Sequence, residues 1–367
     1  MKINFNDLSI QNKIIKKNLL VNLKKIFNHG KYILGPEVQK LEKKLKEYTD
    51  SKYCLTTSSG TDSLLIALMA LNIEPNDEVI TTPFTYISTA EVILRAGARP
   101  VFADISLKDY NIDINSLKSK ISKKTKAIIV VSLFGQTADI KNIKKIAKKI
   151  PIIEDGAQSF GAKHHGVKSC NLTTIGCTSF FPSKALGCYG DGGAIFTNNK
   201  SLYIKMKMIK QHGQNKKKYK YEKLGISARL DTIQAAVVLE KLKILDIEID
   251  KRKKLTNYYK KNLQHIDDIQ LPIIKKYNHS NYSIFSVLIK KKRNLFINYL
   301  KKKNIPSIIY YPIPLDYSKV FKKFSHIKST PNAKKISKSI LSLPISPYLR
   351  KDEREYIVKS IKNFFQK

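Results

Sequence analysis

The sequence predicts an α/β fold: a large domain built on a mixed, mostly parallel sheet, followed by a smaller C-terminal α+β domain. Three observations carry this. Short continuous apolar runs rich in β-branched residues recur along the first half of the chain, as strands buried on both faces require. Amphipathic helical patterns separate them. The 367 residues, 42% of them hydrophobic, are enough for two domains with a substantial core.

In chain order, helical patterns cover 38–48 and 62–71; in the second, Leu64, Leu65, Leu68 and Leu71 form one apolar face. Strands follow at 78–82, 100–103 and 127–131, then an amphipathic helix at 140–149 and a short buried strand at 152–154. Two more strands, 177–181 and 194–197, flank a glycine-rich loop. Asp231 with Gln234 three residues on reads as a helix start, and that helix runs to about residue 245. The charged stretch 246–254 marks the domain change. The predicted units are therefore 1–245, with an N-terminal helical segment, and 246–367. The second holds a helix at 293–303, a strand-like run at 307–311, the turn Pro312-Ile313-Pro314 and a terminal helix from about Asp352.

Composition narrows the function. The net charge of +39 invites a nucleic-acid reading. However, arginine occurs only at Arg95, Arg99, Arg229, Arg252, Arg293, Arg350 and Arg354, and the lysines are spread along the chain without a basic tail. Base-reading contacts favour arginine, so no nucleic-acid partner is expected. The charge can still draw in an anionic small substrate. No stretch approaches a membrane span, and residues 1–7 lack the apolar core of a signal peptide, so a cytoplasmic protein is expected. Cys54, Cys170, Cys177 and Cys188 form no CxxC pair and read as buried thiols; His164-His165 reads as a loop feature, and no metal site is expected.

Lys184 carries the chemistry. It lies in Ser179-Phe180-Phe181-Pro182-Ser183-Lys184, ahead of Gly187-Cys188-Tyr189-Gly190-Asp191-Gly192-Gly193. An amine in an apolar, glycine-bounded setting has a lowered pKa and a free lone pair, which suits a Schiff-base lysine. Upstream, Ile152-Ile153-Glu154-Asp155-Gly156-Ala157-Gln158 delivers a carboxylate at a strand end, where ligands of parallel sheets bind. A carboxylate there suits a pyridinium nitrogen, so the pair points to pyridoxal phosphate. Gln158 could bond the ring hydroxyl. Ser58-Ser59-Gly60-Thr61-Asp62 opens the leucine-faced helix and offers backbone N–H groups to a phosphate. Tyr86 follows a strand and could lie on the pyridine ring, and the Ser179 hydroxyl could reach the phosphate. Taken singly, the turn reads as a helix cap and Tyr86 as a core aromatic; the combination with Lys184 gives them weight.

These segments, together with Gly35-Pro36-Glu37-Val38, Phe134-Gly135-Gln136, His212-Gly213-Gln214, Ala228-Arg229-Leu230-Asp231-Thr232-Ile233-Gln234, Tyr311-Pro312 and Leu341-Ser342-Leu343-Pro344, make the chain similar to the DegT/DnrJ/EryC1/StrS family of pyridoxal phosphate-dependent sugar aminotransferases. The resemblance covers nearly the whole chain in order. It implies the fold-type I aminotransferase architecture and a homodimer whose subunits share each site. It assigns Lys184 as the Schiff-base lysine and Asp155 as the pyridinium partner. Gln158 falls beside the ring hydroxyl, Tyr86 on the ring face, and Gly60, Thr61 and Ser179 at the phosphate. In the segment Gly225-Ile226-Ser227-Ala228-Arg229-Leu230-Asp231, Ser227 stands where the family often has a phosphate-binding asparagine from the partner subunit.

The reaction implied is transamination: an amino acid, usually L-glutamate, leaves its amine as pyridoxamine phosphate, and the keto group of a nucleotide-linked sugar takes it, toward amino-sugar and surface polysaccharide synthesis. Arg229 with Tyr310, Tyr311 and Pro312 is similar to members that aminate C3 of a UDP-linked 3-keto-N-acetylglucosaminuronic acid, the arginine pairing with the sugar carboxylate. Arg229 equally fits an ion pair near Asp231, and Tyr310 stands where relatives often carry histidine. A 4-keto or a 3-keto-6-deoxy sugar is the alternative acceptor. A dehydratase of the same family would carry histidine at the lysine position, and a regulator without catalysis would not need Asp155, Gln158, Ser179 and Lys184 together.

Overall fold

The structure, a computed structural model, describes residues 3–215, 219–324 and 330–366; Met1 and Lys2, the first of the residues read for a signal peptide, lie outside them. Strands β1 (Tyr53–Thr57), β2 (Glu78–Thr81), β3 (Arg99–Phe102), β4 (Thr125–Val131) and β5 (Ile152–Asp155) alternate with helices α3 (Gly60–Ala70), α4 (Ser88–Arg95), α5 (Ile114–Lys120) and α6 (Ile140–Ala147). Ahead of them lie α1 (Ser9–His29) and α2 (Pro36–Thr49). Two short strands, β6 (Lys163–His164) and β7 (Val167–Lys168), precede β8 (Ile175–Ser179) and β9 (Gly193–Thr197). The main sheet has the order β1-β9-β8-β5-β4-β2-β3. Its pairs from β8 to β3 are parallel, and β9 runs antiparallel to both its neighbours, as a mixed, mostly parallel sheet requires.

Period-two alternation splits each strand between two helical layers. Val79, Ile129, Ile153, Ile175 and Ile195 pack with Leu64, Ile66 and Leu68 of α3 on one face. Ile80, Ile128, Val130 and Ile152 pack with Ile140 and Ile143 of α6 on the other. Both faces are covered, so the strands read as unbroken apolar runs.

After α7 (Lys200–Ile209) and α8 (Thr232–Leu242), the charged stretch 246–254 proves helical: it begins α9 (Leu245–Leu263). Leu245 packs into an apolar cluster with Val38, Leu41 and Leu239, whereas Leu255, Tyr259 and Leu263 pack into another with Phe285, Phe296 and Ile357. One helix thus joins two apolar clusters across the stretch that composition marked as a charged break. The C-terminal sheet has the order β10-β12-β13, formed by Ile269–Gln270, Phe285–Ile289 and Ile340–Leu343, and β11 (Asn278–His279) joins β6 and β7. Helices α10 (Arg293–Lys302), α11 (Pro331–Ser339) and α12 (Lys351–Phe365) complete it.

Two local expectations are corrected and a third holds in part. Residues 307–311 form no strand; Ile308 makes a single bridge to Ser342, and Tyr310 and Tyr311, joined by a cis peptide, turn into a cavity. Asp231 is the N-cap of α8, where the sequence places the helix start, but its side chain makes no capping bond, and the Gln234 side chain accepts the Tyr189 N–H at 2.8 Å rather than folding back on the cap. His164 is not a loop residue but a buried member of β6, its Nδ1 2.9 Å from Asn278 Oδ1. All four cysteines are buried and free. Among the described residues no helix is long and apolar enough to cross a membrane.

Candidate active site

A cavity of about 400 Å³ opens beyond the C-terminal ends of β4, β5 and β8, where parallel strands present side chains to a ligand. Asp155 ends β5 and is only 7% exposed. Its Oδ2 accepts from the Thr89 hydroxyl at 2.8 Å, and its Oδ1 from the Ala157 N–H at 3.2 Å. Burial raises its pKa, opposed by these two bonds and by Lys184. Strand alternation turns the preceding carboxylate away. Glu154 is held instead by Ser132, Ser169 and the Cys170 N–H, at 2.7, 2.8 and 2.7 Å.

Lys184 lies in the loop between β8 and β9. That loop is closed by Phe180 N–H to Gly192 O at 2.7 Å and Cys188 N–H to Phe180 O at 2.6 Å, and a turn at Phe181 bonds the Lys184 N–H at 2.8 Å. Burial lowers the pKa of the amine, and Asp155 pulls the other way. The amine has no hydrogen-bond partner among the described residues, as a nucleophile held in reserve requires.

Gln158 follows Asp155 by three residues. Its side-chain nitrogen donates to the Tyr311 hydroxyl at 2.9 Å, and its oxygen accepts from the Phe134 N–H at 2.9 Å. Tyr311 packs edge-on against Phe84. Tyr86 lines the cavity mouth and is exposed. Asn6, from the segment before α1, also reaches the cavity wall.

The N-terminus of α3 faces the cavity. The Ser59 hydroxyl accepts from the Asp62 N–H at 3.0 Å, leaving the first turn's other N–H groups to a ligand. Gly60 touches β8 so closely that a Cβ there would stand 2.6 Å from the Ser179 Cβ. Gly60, Thr61 and Ser179 therefore form one cradle on the cavity wall. Gly60→Ala is expected to push α3 off β8. Titration with pyridoxal phosphate should show affinity reduced about tenfold or more, with about 1–3 kcal/mol lost in a thermal melt. Unchanged affinity would show that the cradle does not hold the phosphate.

The structure thus brings together Gly60, Thr61, Tyr86, Asp155, Gln158, Ser179, Lys184, Tyr310 and Tyr311. It leaves out Ser227 and Arg229, which line no part of this cavity. Arg229 donates to the Ser227 hydroxyl at 2.8 Å, and among the described residues it makes no ion pair with Asp231. Residues missed from the sequence are Thr89, Asn6, Asp191 and Ser283. Thr89 sits just past Tyr86 on α4, a helix too short to stand out by periodicity.

The residues fit pyridoxal phosphate on their own chemistry. A buried carboxylate with its pKa raised by burial is relieved by a cationic ring N–H. An unpartnered amine of lowered pKa faces the same space, and a Cβ-intolerant helix N-terminus suits the phosphate. Fold and site together define a fold-type I, pyridoxal phosphate-dependent enzyme. Residues 13–362 match the DegT/DnrJ/EryC1/StrS aminotransferase family, and the chain belongs to it. It is 44% identical to UDP-2-acetamido-2-deoxy-3-oxo-D-glucuronate aminotransferase of Pseudomonas aeruginosa, covering 95% of this chain and 96% of that one. A DegT/DnrJ/EryC1/StrS aminotransferase from Brucella abortus superposes with a TM-score of 0.95 over 100% of both chains at 37% identity. NtdA from Bacillus subtilis, solved with bound cofactor PMP, gives 0.92 over 100% of this chain and 86% of its own, at 28% identity.

Proposed function

We propose that the chain moves the amine of L-glutamate to C3 of a UDP-linked 3-keto-N-acetylglucosaminuronic acid, in the cytoplasm, for amino-sugar and polysaccharide synthesis. The observation that carries the acceptor is the 44% identity, over 95% of the chain, to a protein named for that substrate. Bound pyridoxal phosphate supplies an electrophilic carbon and a ring that withdraws electrons from it. Lys184 would hold the group through its side-chain nitrogen and, once free, would move a proton at the reacting carbon. That step needs a neutral amine, which burial favours. Asp155, held by Thr89 and the Ala157 N–H, would keep the ring nitrogen protonated. Gln158 would meet the ring hydroxyl, Tyr86 would cover the ring, and Gly60, Thr61 and Ser179 would hold the phosphate.

Ser227 and Arg229 then serve the site of a second copy in a homodimer, Ser227 at the phosphate and Arg229 at the sugar carboxylate, with Tyr310 and Tyr311 beside the sugar. Their absence from the chain's own cavity supports this arrangement. The planar guanidinium suits the carboxylate, and the +39 net charge draws in an anionic nucleotide sugar.

The test is amine transfer from L-glutamate to the UDP-3-keto uronic acid, compared with a 4-keto and a 3-keto-6-deoxy nucleotide sugar. The first is expected to have the highest kcat/KM, and Arg229→Ala to raise its KM about tenfold or more with little change in kcat. Preference for a neutral keto sugar, indifferent to Arg229, would overturn the acceptor.

A further inference from the structure

Beside Lys184 the main cavity adjoins a small annexe of about 30 Å³. The two spaces share Asn6, Ser183, Lys184, Ala185 and Ser283. The annexe is bounded by Gln11 of α1, Glu248 and Arg252 of α9, and Tyr348. Gln11 and Arg252 are 6% and 8% exposed. Glu248 organises them: it accepts from Gln11 Nε2 at 2.7 Å, from the Tyr348 hydroxyl at 2.6 Å and from Arg252 Nη2 at 3.2 Å.

The bond to Glu248 orients the Gln11 amide, so its oxygen points elsewhere. That Oε1 and the Arg252 Nη1 are both buried without a hydrogen-bond partner. Native proteins seldom leave a buried donor and a buried acceptor unmatched in one place. Whatever completes this site must offer an acceptor to Nη1.

We propose that the annexe receives the side-chain terminus of the amino-acid donor, whose terminal carbonyl oxygen accepts from Arg252 Nη1. This rests on the transaminase reading given above. The donor's amine reacts beside Lys184 in the main cavity, so the part that enters the annexe is the far end of the donor. A nucleotide sugar is too large for about 30 Å³, and an aliphatic side chain would leave both polar atoms unmatched. Glu248 balances the Arg252 charge, so a carboxylate and a carboxamide can both present the oxygen. Gln11 Oε1 separates them: it can accept from an amide NH2 and offers nothing to a carboxylate.

The experiment uses the holoenzyme and three donors of equal chain length: L-glutamate, L-glutamine and L-norvaline, the last lacking a terminal carbonyl. Two variants are compared with the wild type. Arg252→Lys keeps the charge and loses the fork; the double variant Arg252→Gln with Glu248→Gln removes both charges, so neither is left buried alone. Thermal melts check folding. Calorimetric titration with glutarate and with its monoamide reads binding without turnover. The half-saturating concentration of glutamate or glutamine is expected to rise about ten- to a hundredfold in both variants, with norvaline unchanged and the matching calorimetric signal lost. A loss in Gln11→Leu confined to glutamine identifies the carboxamide, and no selective loss identifies the carboxylate. Folded variants with unaltered glutamate and glutamine affinity, or with norvaline impaired equally, overturn the proposal and leave the annexe to water. If the wild type accepts amine from no donor yet binds glutarate or its monoamide through Arg252, the transaminase reading fails and the annexe stands.

Discussion

Lys184→Ala should leave a folded protein that binds pyridoxal phosphate without the visible band of the lysine-linked form and transfers amine about 10⁴-fold more slowly or worse. The size follows from two losses at one atom. On the proposed mechanism the amine would be both the covalent attachment point and the base that moves a proton at the reacting carbon. No neighbour can replace it: among the described residues lining the cavity, Lys184 is the single lysine. Folding should survive, because the loop is held by backbone bonds from Phe180 and Cys188 rather than by the lysine side chain. Binding should persist through Asp155 and the Gly60 cradle. Added methylamine, small enough for the vacated space, should restore part of the proton transfer. A variant that keeps the visible band and wild-type turnover would remove Lys184 from the chemistry.

That Lys184 could be read from the sequence has a physical reason. The setting that lowers its pKa is local: an apolar strand before it, glycines after it and a tight loop between two paired strands. Asp155 is legible on similar grounds, since a carboxylate ending a buried strand faces the ligand side of a parallel sheet. Glu154 shows how narrow that reading is, because one step of alternation takes it to a separate buried network. Thr89 was not legible; its partner lies 66 residues away, and only the fold joins them.

Arg252 was hidden for another reason. A charged stretch normally signals a solvated face, yet here Glu248 and Arg252 pair with each other inside the protein. The aromatic run around Tyr310 carried strand propensity, and tertiary contacts overrode it. In α1 no single apolar stripe emerges. Ile15, Leu19 and Ile26 pack on α8, while Ile10, Ile14, Leu20, Val21 and Phe27 are exposed, so periodicity gave no boundary. The parts that escaped reading are those whose meaning depends on which distant element they touch.

Asp155→Asn is the second large effect. The amide is nearly isosteric and can still accept from the Thr89 hydroxyl, so melting temperature should change little. What disappears is the negative charge that, on the proposed mechanism, would hold the ring nitrogen protonated. In a buried site such preorganised charge is worth about 10²–10³ in rate, or about 2.7–4 kcal/mol. Because Asp155 lies at the nitrogen and not at the reacting carbon, the loss should fall on the proton-transfer rate in both half-reactions, with the half-saturating donor concentration nearly unchanged. Thr89→Val separates charge from placement: it keeps the carboxylate and removes its 2.8 Å anchor, and should slow the reaction far less. Single-turnover kinetics with L-glutamate measure both variants. An Asp155→Asn enzyme as fast as wild type would mean that the ring works unprotonated, and that the buried carboxylate at the end of β5 has another task.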